Sequence, residues 1–146
     1  MNNNFDKDLP LGKNGEFKVM GYLVDQGWQL VEWRDDSKYD LLMYHKNRNI
    51  RSTFEVKTDF YDNGNLVVEY ESRGKPSGIA VTEADYWVFY FNETREFWFI
   101  DTEDLKELCR DARRIEGGDE NSSKMFLLPK FDVRNKFRIR EEEIND

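Results

Sequence analysis

Residues 39–57, YDLLMYHKNRNIRSTFEVK, decide how this chain is read. Two runs with strand character, 39–45 and 50–57, flank a polar turn at Asn47 to Asn49. Side chains alternate along a strand, so Glu55 and Lys57 project from one face with Cα atoms ~7 Å apart, and Val56 projects from the other. A turn this short lets the two runs pair, which brings Asp40 close to Glu55. Two carboxylates beside one ammonium form an oxygen site for a hard cation such as Mg²⁺ or Mn²⁺. Such an ion keeps several waters and accepts phosphate oxygens as further ligands. The set suits hydrolysis of a phosphodiester, which needs a nucleophile made from water and neutralised phosphoryl charge. A plainer reading also fits these residues: a solvated hairpin face on which Glu55 and Lys57 pair as charges.

Working outward, the segment from about Leu11 to Gln26 predicts a helix. Phe17, Met20 and Val24, with Val19 and Leu23, recur at three- and four-residue spacing, and Gly27 suits its C-terminal end. Residues 28–33, WQLVEW, alternate as a strand. After the central pair, Asp62-Asn63-Gly64-Asn65 signals a turn, and LVVEYES at 66–72 predicts another strand. Thr82 and Asp85 resemble a short capped turn. Residues 86–91, YWVFYF, are nearly continuous in apolar character, as in a buried strand, and 97–100, FWFI, follow a turn at 92–96 as its hairpin partner. Asp101 or Thr102 opens a second predicted helix, through about Arg114, with Leu105, Leu108 and Ala112 on one face. Arg110, Arg113 and Arg114 then suit its negative end. Residues 116–124 are expected to be a flexible loop, and residues 2–10 a mobile lead-in. MFLLP at 125–129 and KFRIR at 136–140 are late strand candidates. The expected order is α-β-β-β-β-turn-β-β-α-β-β, a mixed sheet flanked by helices in one domain over 1–146.

The pattern of Asp40 followed by Glu55-Val56-Lys57 resembles the signature of the PD-(D/E)XK nuclease superfamily, the restriction-endonuclease-like fold. Glu16, in Gly15-Glu16-Phe17-Lys18, matches the acid that this superfamily often carries on its first helix. Tyr39 stands where the name-giving proline would be, a position that varies widely in the family. The resemblance spans residues 11 to about 100 in organisation. It implies an α/β restriction-endonuclease-like core and a metal-dependent DNA endonuclease, similar to Holliday-junction resolvases and small phage-encoded nucleases. It also implies roles. Asp40 and Glu55 ligate Mg²⁺ or Mn²⁺ with the Val56 carbonyl, Lys57 positions or activates water, and Glu16 supports a second metal or a ligand water. Many relatives act as homodimers, because a duplex has two strands. The alternative class is a non-catalytic acidic binding protein, a DNA mimic that keeps the fold; an intact Lys57 favours the enzyme.

The 146-residue chain carries 22 Lys and Arg against 30 Asp and Glu, a net charge of −8. That charge argues against a protein that coats nucleic acid without specificity. Positive charge is local instead. Residues 124–140 hold six basic residues against Asp132 alone. Within them Lys136, Arg138 and Arg140 alternate with Phe137 and Ile139, which predicts a basic face over an apolar anchor. Arg73 and Lys75, in the Gly-rich loop 72–78, are the other candidates for phosphate contact. Glu69 and Glu71 alternate with Val68 and Tyr70, which suits either an extension of the metal site in the same cleft or, more plainly, a solvated sheet face. His45 reads as an edge residue, Cys109 as a packing thiol, and the aromatic runs at 86–91 and 97–99 as core rather than a base-stacking platform. A single cysteine and a single histidine exclude a disulfide framework and a His- or Cys-rich metal cage. No signal peptide or membrane span is readable near the N-terminus or elsewhere, and the expected location is cytoplasmic.

Overall fold

The computed structural model describes residues 11–36, 38–59 and 63–143. The expected lead-in at 2–10 lies outside the described residues. Helix α1 (Leu11–Asp25) is followed by strands β1 (Trp28–Trp33), β2 (Leu41–His45) and β3 (Ile50–Asp59). Next come β4 (Asn65–Ser72), β5 (Lys75–Pro76), a 3₁₀ turn at Gly78–Ala80, β6 (Tyr86–Phe91) and β7 (Glu96–Asp101). Helix α2 (Thr102–Arg110), β8 (Arg113–Gly117), β9 (Ser123–Pro129), the short helix α3 (Lys130–Val133) and β10 (Arg138–Glu141) complete the order.

Among the described residues ten strands form two sheets. The first has six strands in the order β1-β2-β3-β6-β7-β10, and the second has four in the order β5-β4-β9-β8. In the first sheet β3 and β6 run parallel, and every other neighbouring pair is antiparallel. A parallel pair needs a crossover. Here the crossover between β3 and β6 is built from β4, β5 and the 3₁₀ turn, and β4 serves as a strand of the second sheet.

The first sheet is covered on both faces, which explains why β6 and β7 read as continuous apolar runs. On one face Val19 and Leu23 of α1 pack with Leu41, Met43, Phe54, Val56, Val88, Tyr90, Phe97 and Phe99. On the other, Trp87, Phe89, Phe91, Trp98 and Ile100 meet Leu66, Val68 and Leu128 of the second sheet, and Leu105 and Cys109 of α2. Burial pushes the Cys109 thiol up to about 12, so it is an inert packing group.

Three boundaries differ from the sequence reading. Helix α2 ends at Arg110, not near Arg114; Arg113 and Arg114 belong to β8, where Arg114 pairs with Phe126. The local charge pattern suited a helix end, but pairing with β9 prevails. The expected loop at 116–124 is a tight hairpin. Glu116 and Gly117 pair with Lys124 and Ser123, and the chain reverses through Gly118, Glu120 and Asn121 at positive φ. Lys136 lies in a 3₁₀ turn, so it does not share the strand face of Arg138 and Arg140.

Candidate active site

The antiparallel register pairs Leu41 with Phe54. Asp40 is the residue before Leu41, and its N–H donates to the Phe54 carbonyl at 2.9 Å. One step along both strands sets Asp40 beside Glu55. Leu41, Phe54 and Val56 all enter the core beneath α1. By alternation Glu55 and Lys57 on β3 therefore point to the opposite face, while Asp40 sits one residue before β2, at the strand end beside them. The Val56 N–H donates to Asp40 Oδ2 at 2.7 Å, which pins that carboxylate against the acid-x-lysine strand.

Glu55 is buried, at 9 % exposure. Its Oε2 pairs with Lys57 Nζ at 3.2 Å, while the Lys57 side chain stays half-exposed. Its other oxygen, Oε1, is buried with no hydrogen-bond partner. The Lys57 ammonium also lies 5.6 Å from the centre of the Trp87 ring. Glu16, 7 % exposed, reaches the site from α1 and accepts a 2.8 Å hydrogen bond from Trp33 Nε1. This bond joins residues on α1 and β1, so spacing along the chain does not reveal it.

The electrostatics carry the mark of this crowding. Burial and the charges of Glu55 and Glu16 push the Asp40 carboxyl up to about 7, against the pull of the Val56 N–H and Lys57. Burial also raises the Glu55 carboxyl, against the opposing Lys57, and Glu16 and Asp36 add to the rise. Carboxylates that raise one another in a desolvated site are typical of functional positions. Asp36, whose charge reaches Glu55, is a contributor that the strand pattern does not disclose. Among the described residues no three His, Cys, Asp or Glu side chains are gathered at metal-holding distance. The chemistry of the donors nevertheless fits a hard cation of the Mg²⁺ type. Such an ion takes one or two protein carboxylates and keeps waters, and the unpartnered Glu55 oxygen is an acceptor without a donor.

The structure places the other candidates elsewhere. Glu69 accepts from Ser77 Oγ at 2.9 Å and Glu71 pairs with Lys124 at 3.2 Å, both within the second sheet. Arg73 and Lys75 are exposed on the β4–β5 turn of that sheet, and Arg73 adopts a positive φ of 52°. Arg138 and Arg140 lie on β10, three strands from β3, or ~14 Å at ordinary strand spacing. They pair with Phe99 and Phe97, so they face α1 rather than the side of Glu55 and Lys57. Their alternation with Phe137 and Ile139, which pack toward the second sheet, is as expected. His45 is buried and satisfied. Its Nδ1 accepts from the Arg48 N–H at 3.2 Å, and its Nε2 sits 3.1 Å from the Gln26 carbonyl. That pair of bonds selects the neutral Nε2–H tautomer.

The order α1-β1-β2-β3, with β6 added in parallel beside β3, is a mixed α/β core. A solved structure is similar in fold: the bacterial homing endonuclease I-Ssp6803I, with a TM-score of 0.51 and 20% sequence identity over 66% of this chain and 70% of that one. No protein-family model matches the chain, and no curated protein matches it in sequence.

Proposed function

We propose that this protein is a metal-dependent DNA endonuclease of the PD-(D/E)XK kind. The observation that carries the reading is Asp40 held by the Val56 N–H of the strand on which Glu55 and Lys57 share a face and pair, with the Glu55 Oε1 buried and unpartnered. The fold shared with a homing endonuclease supports a DNA substrate. Asp40, Glu55 and the Val56 carbonyl would hold Mg²⁺ or Mn²⁺, with Glu16 beside them. The bound ion supplies Lewis acidity toward a phosphoryl oxygen and acidifies water. The chain's own residues do the rest. The Val56 N–H fixes the rotamer of Asp40. The Trp33 indole orients Glu16. Lys57, half-exposed and tethered by Glu55, presents an ammonium to solvent where it can orient the attacking water or balance charge on the phosphate.

The test is nicking of supercoiled plasmid in Mg²⁺ or Mn²⁺ against EDTA. Wild type is expected to nick only with metal. Lys57→Ala and Glu55→Gln should lose activity by at least about 10²-fold with unchanged circular dichroism. Equal nicking by wild type and Lys57→Ala would remove Lys57 from the reaction. Metal-independent binding to a basic partner, with no cleavage of any DNA form, would favour the acidic DNA-mimic reading instead.

A further inference from the structure

The α1 face of the first sheet carries an open groove of about 440 Å³, on the side opposite Glu55 and Lys57. Its floor includes Phe54, on which Tyr86 stacks with ring centres 5.4 Å apart. Trp28 and Tyr86 line it, both only partly buried. Arg48, Arg138 and Arg140 line it as well. In a chain with 30 acidic residues, no carboxylate among the described residues lines this groove. None of the three arginines forms an ion pair with a described residue. Arg138 instead sits 5.9 Å from the Tyr86 ring centre, and Arg140 Nη1 donates to the Ile139 carbonyl. The groove is held in shape by His45, whose ring bonds both the Gln26 carbonyl and the Arg48 N–H.

Three guanidinium groups without carboxylate partners among the described residues make a site for a polyanion. Aromatic walls add a surface for a flat ring. The volume falls within the range of small-ligand clefts. One ligand class presents both features, a nucleotide. The base faces of a duplex are stacked and closed, whereas an unpaired nucleotide leaves its base free to enter a groove. We propose that this groove binds an unpaired nucleotide of a single-stranded nucleic acid, with phosphates on Arg48, Arg138 and Arg140 and the base against Tyr86 and Trp28. The site lies across the sheet from the proposed catalytic residues, so it is a second contact and does not depend on cleavage.

The test is fluorescence anisotropy of a labelled oligothymidine in EDTA, beside a duplex of the same length. Tighter binding of the single strand is expected. The double variant Arg138→Ala/Arg140→Ala should weaken it at least tenfold and reduce the salt slope by about 1.4, at ~0.7 per single-strand phosphate contact. Tyr86→Leu, which keeps apolar volume and removes the ring, should weaken it roughly 5-fold or more, as loss of one stacked base does. Thymidine monophosphate should displace the probe better than inorganic phosphate or polyglutamate does. Preference for duplex, an unchanged affinity and salt slope in the double arginine variant, or equal displacement by phosphate or polyglutamate would each overturn the proposal. Arg138 and Arg140 are exposed on an edge strand, so the double variant tests the site even if Tyr86→Leu fails to fold. Absence of plasmid nicking leaves this result standing, because binding is read without metal.

Discussion

Asp40, a metal ligand in the proposed site, is costly to the fold as a charge. With its carboxyl raised to about 7, the folded state holds a proton that the unfolded chain releases near pH 4. The stability this gives is complete below about pH 4 and is lost as pH rises through about 7. In EDTA, chemical denaturation should therefore show wild type losing on the order of 2–4 kcal/mol between pH 4 and pH 8 from this group. Asp40→Asn should flatten that slope and raise the melting temperature at pH 8, while abolishing metal-dependent cleavage. A slope identical in the two proteins would remove Asp40 as its source. Glu142 behaves oppositely. Burial would raise its carboxyl, but the Tyr90 hydroxyl at 2.5 Å and Lys18 Nζ at 2.9 Å hold it below the ordinary range. Its contribution is present above about pH 4.5 and lost as pH falls. Glu142→Gln should cost about 1 kcal/mol at pH 7 and less at pH 3.5 by urea unfolding, because Lys18 is half-exposed and screened.

At the scale of elements, α1 is the piece that carries Glu16 to the strands, and two of its glycines play different parts. A Cβ at Gly15 would overlap the Thr58 hydroxyl of β3, whereas one at Gly21 would meet nothing within 4 Å. Gly15 therefore allows the second turn of the helix to lie against the strand that holds Glu55 and Lys57. Gly15→Ala should force the helix off β3, lower stability by about 1–3 kcal/mol and reduce cleavage. Gly21→Ala should stabilise by about 0.5–1 kcal/mol, through lower unfolded-state entropy and better helix propensity. Thermal melts of the pair, with plasmid nicking, check both. A Gly15→Ala protein as stable and active as wild type would show that the close approach is not needed.

For the whole molecule, a metal that binds only the folded state must stabilise it. At about a hundredfold excess over its dissociation constant that is roughly 2.7 kcal/mol, or about 5–10 °C in melting temperature for a chain of this size. Mg²⁺ or Mn²⁺ should produce such a rise in wild type and little in Glu55→Gln. Tryptophan emission should shift along the same titration, since Trp87 lies under Lys57 and Trp33 bonds Glu16. Among the described residues no helix is long and apolar enough to cross a membrane.

Much of this was legible in local pattern, because strand alternation and turn chemistry act between neighbours. The hairpin of β2 and β3, the shared face of Glu55 and Lys57, and the buried runs of β6 and β7 all follow from residues a few positions apart. What local pattern does not contain is the choice among partners. Phe17 and Val24 matched the helical period as well as Val19 and Leu23 did, yet they are 41% and 50% exposed while the latter are buried. The hydrophobic effect ranks faces only once the sheet beneath α1 exists. Arg113 and Arg114 suited a helix end until β9 offered a ladder of backbone hydrogen bonds. Arg48, Arg138 and Arg140 are neighbours only because β10 joins the edge of the first sheet and the turn after His45 opens onto the same face. The residue types and their spacing thus determined the candidate chemistry. The tertiary structure decided which charges share a face, because that depends on strand order and the sharing of buried surface between distant parts of the chain.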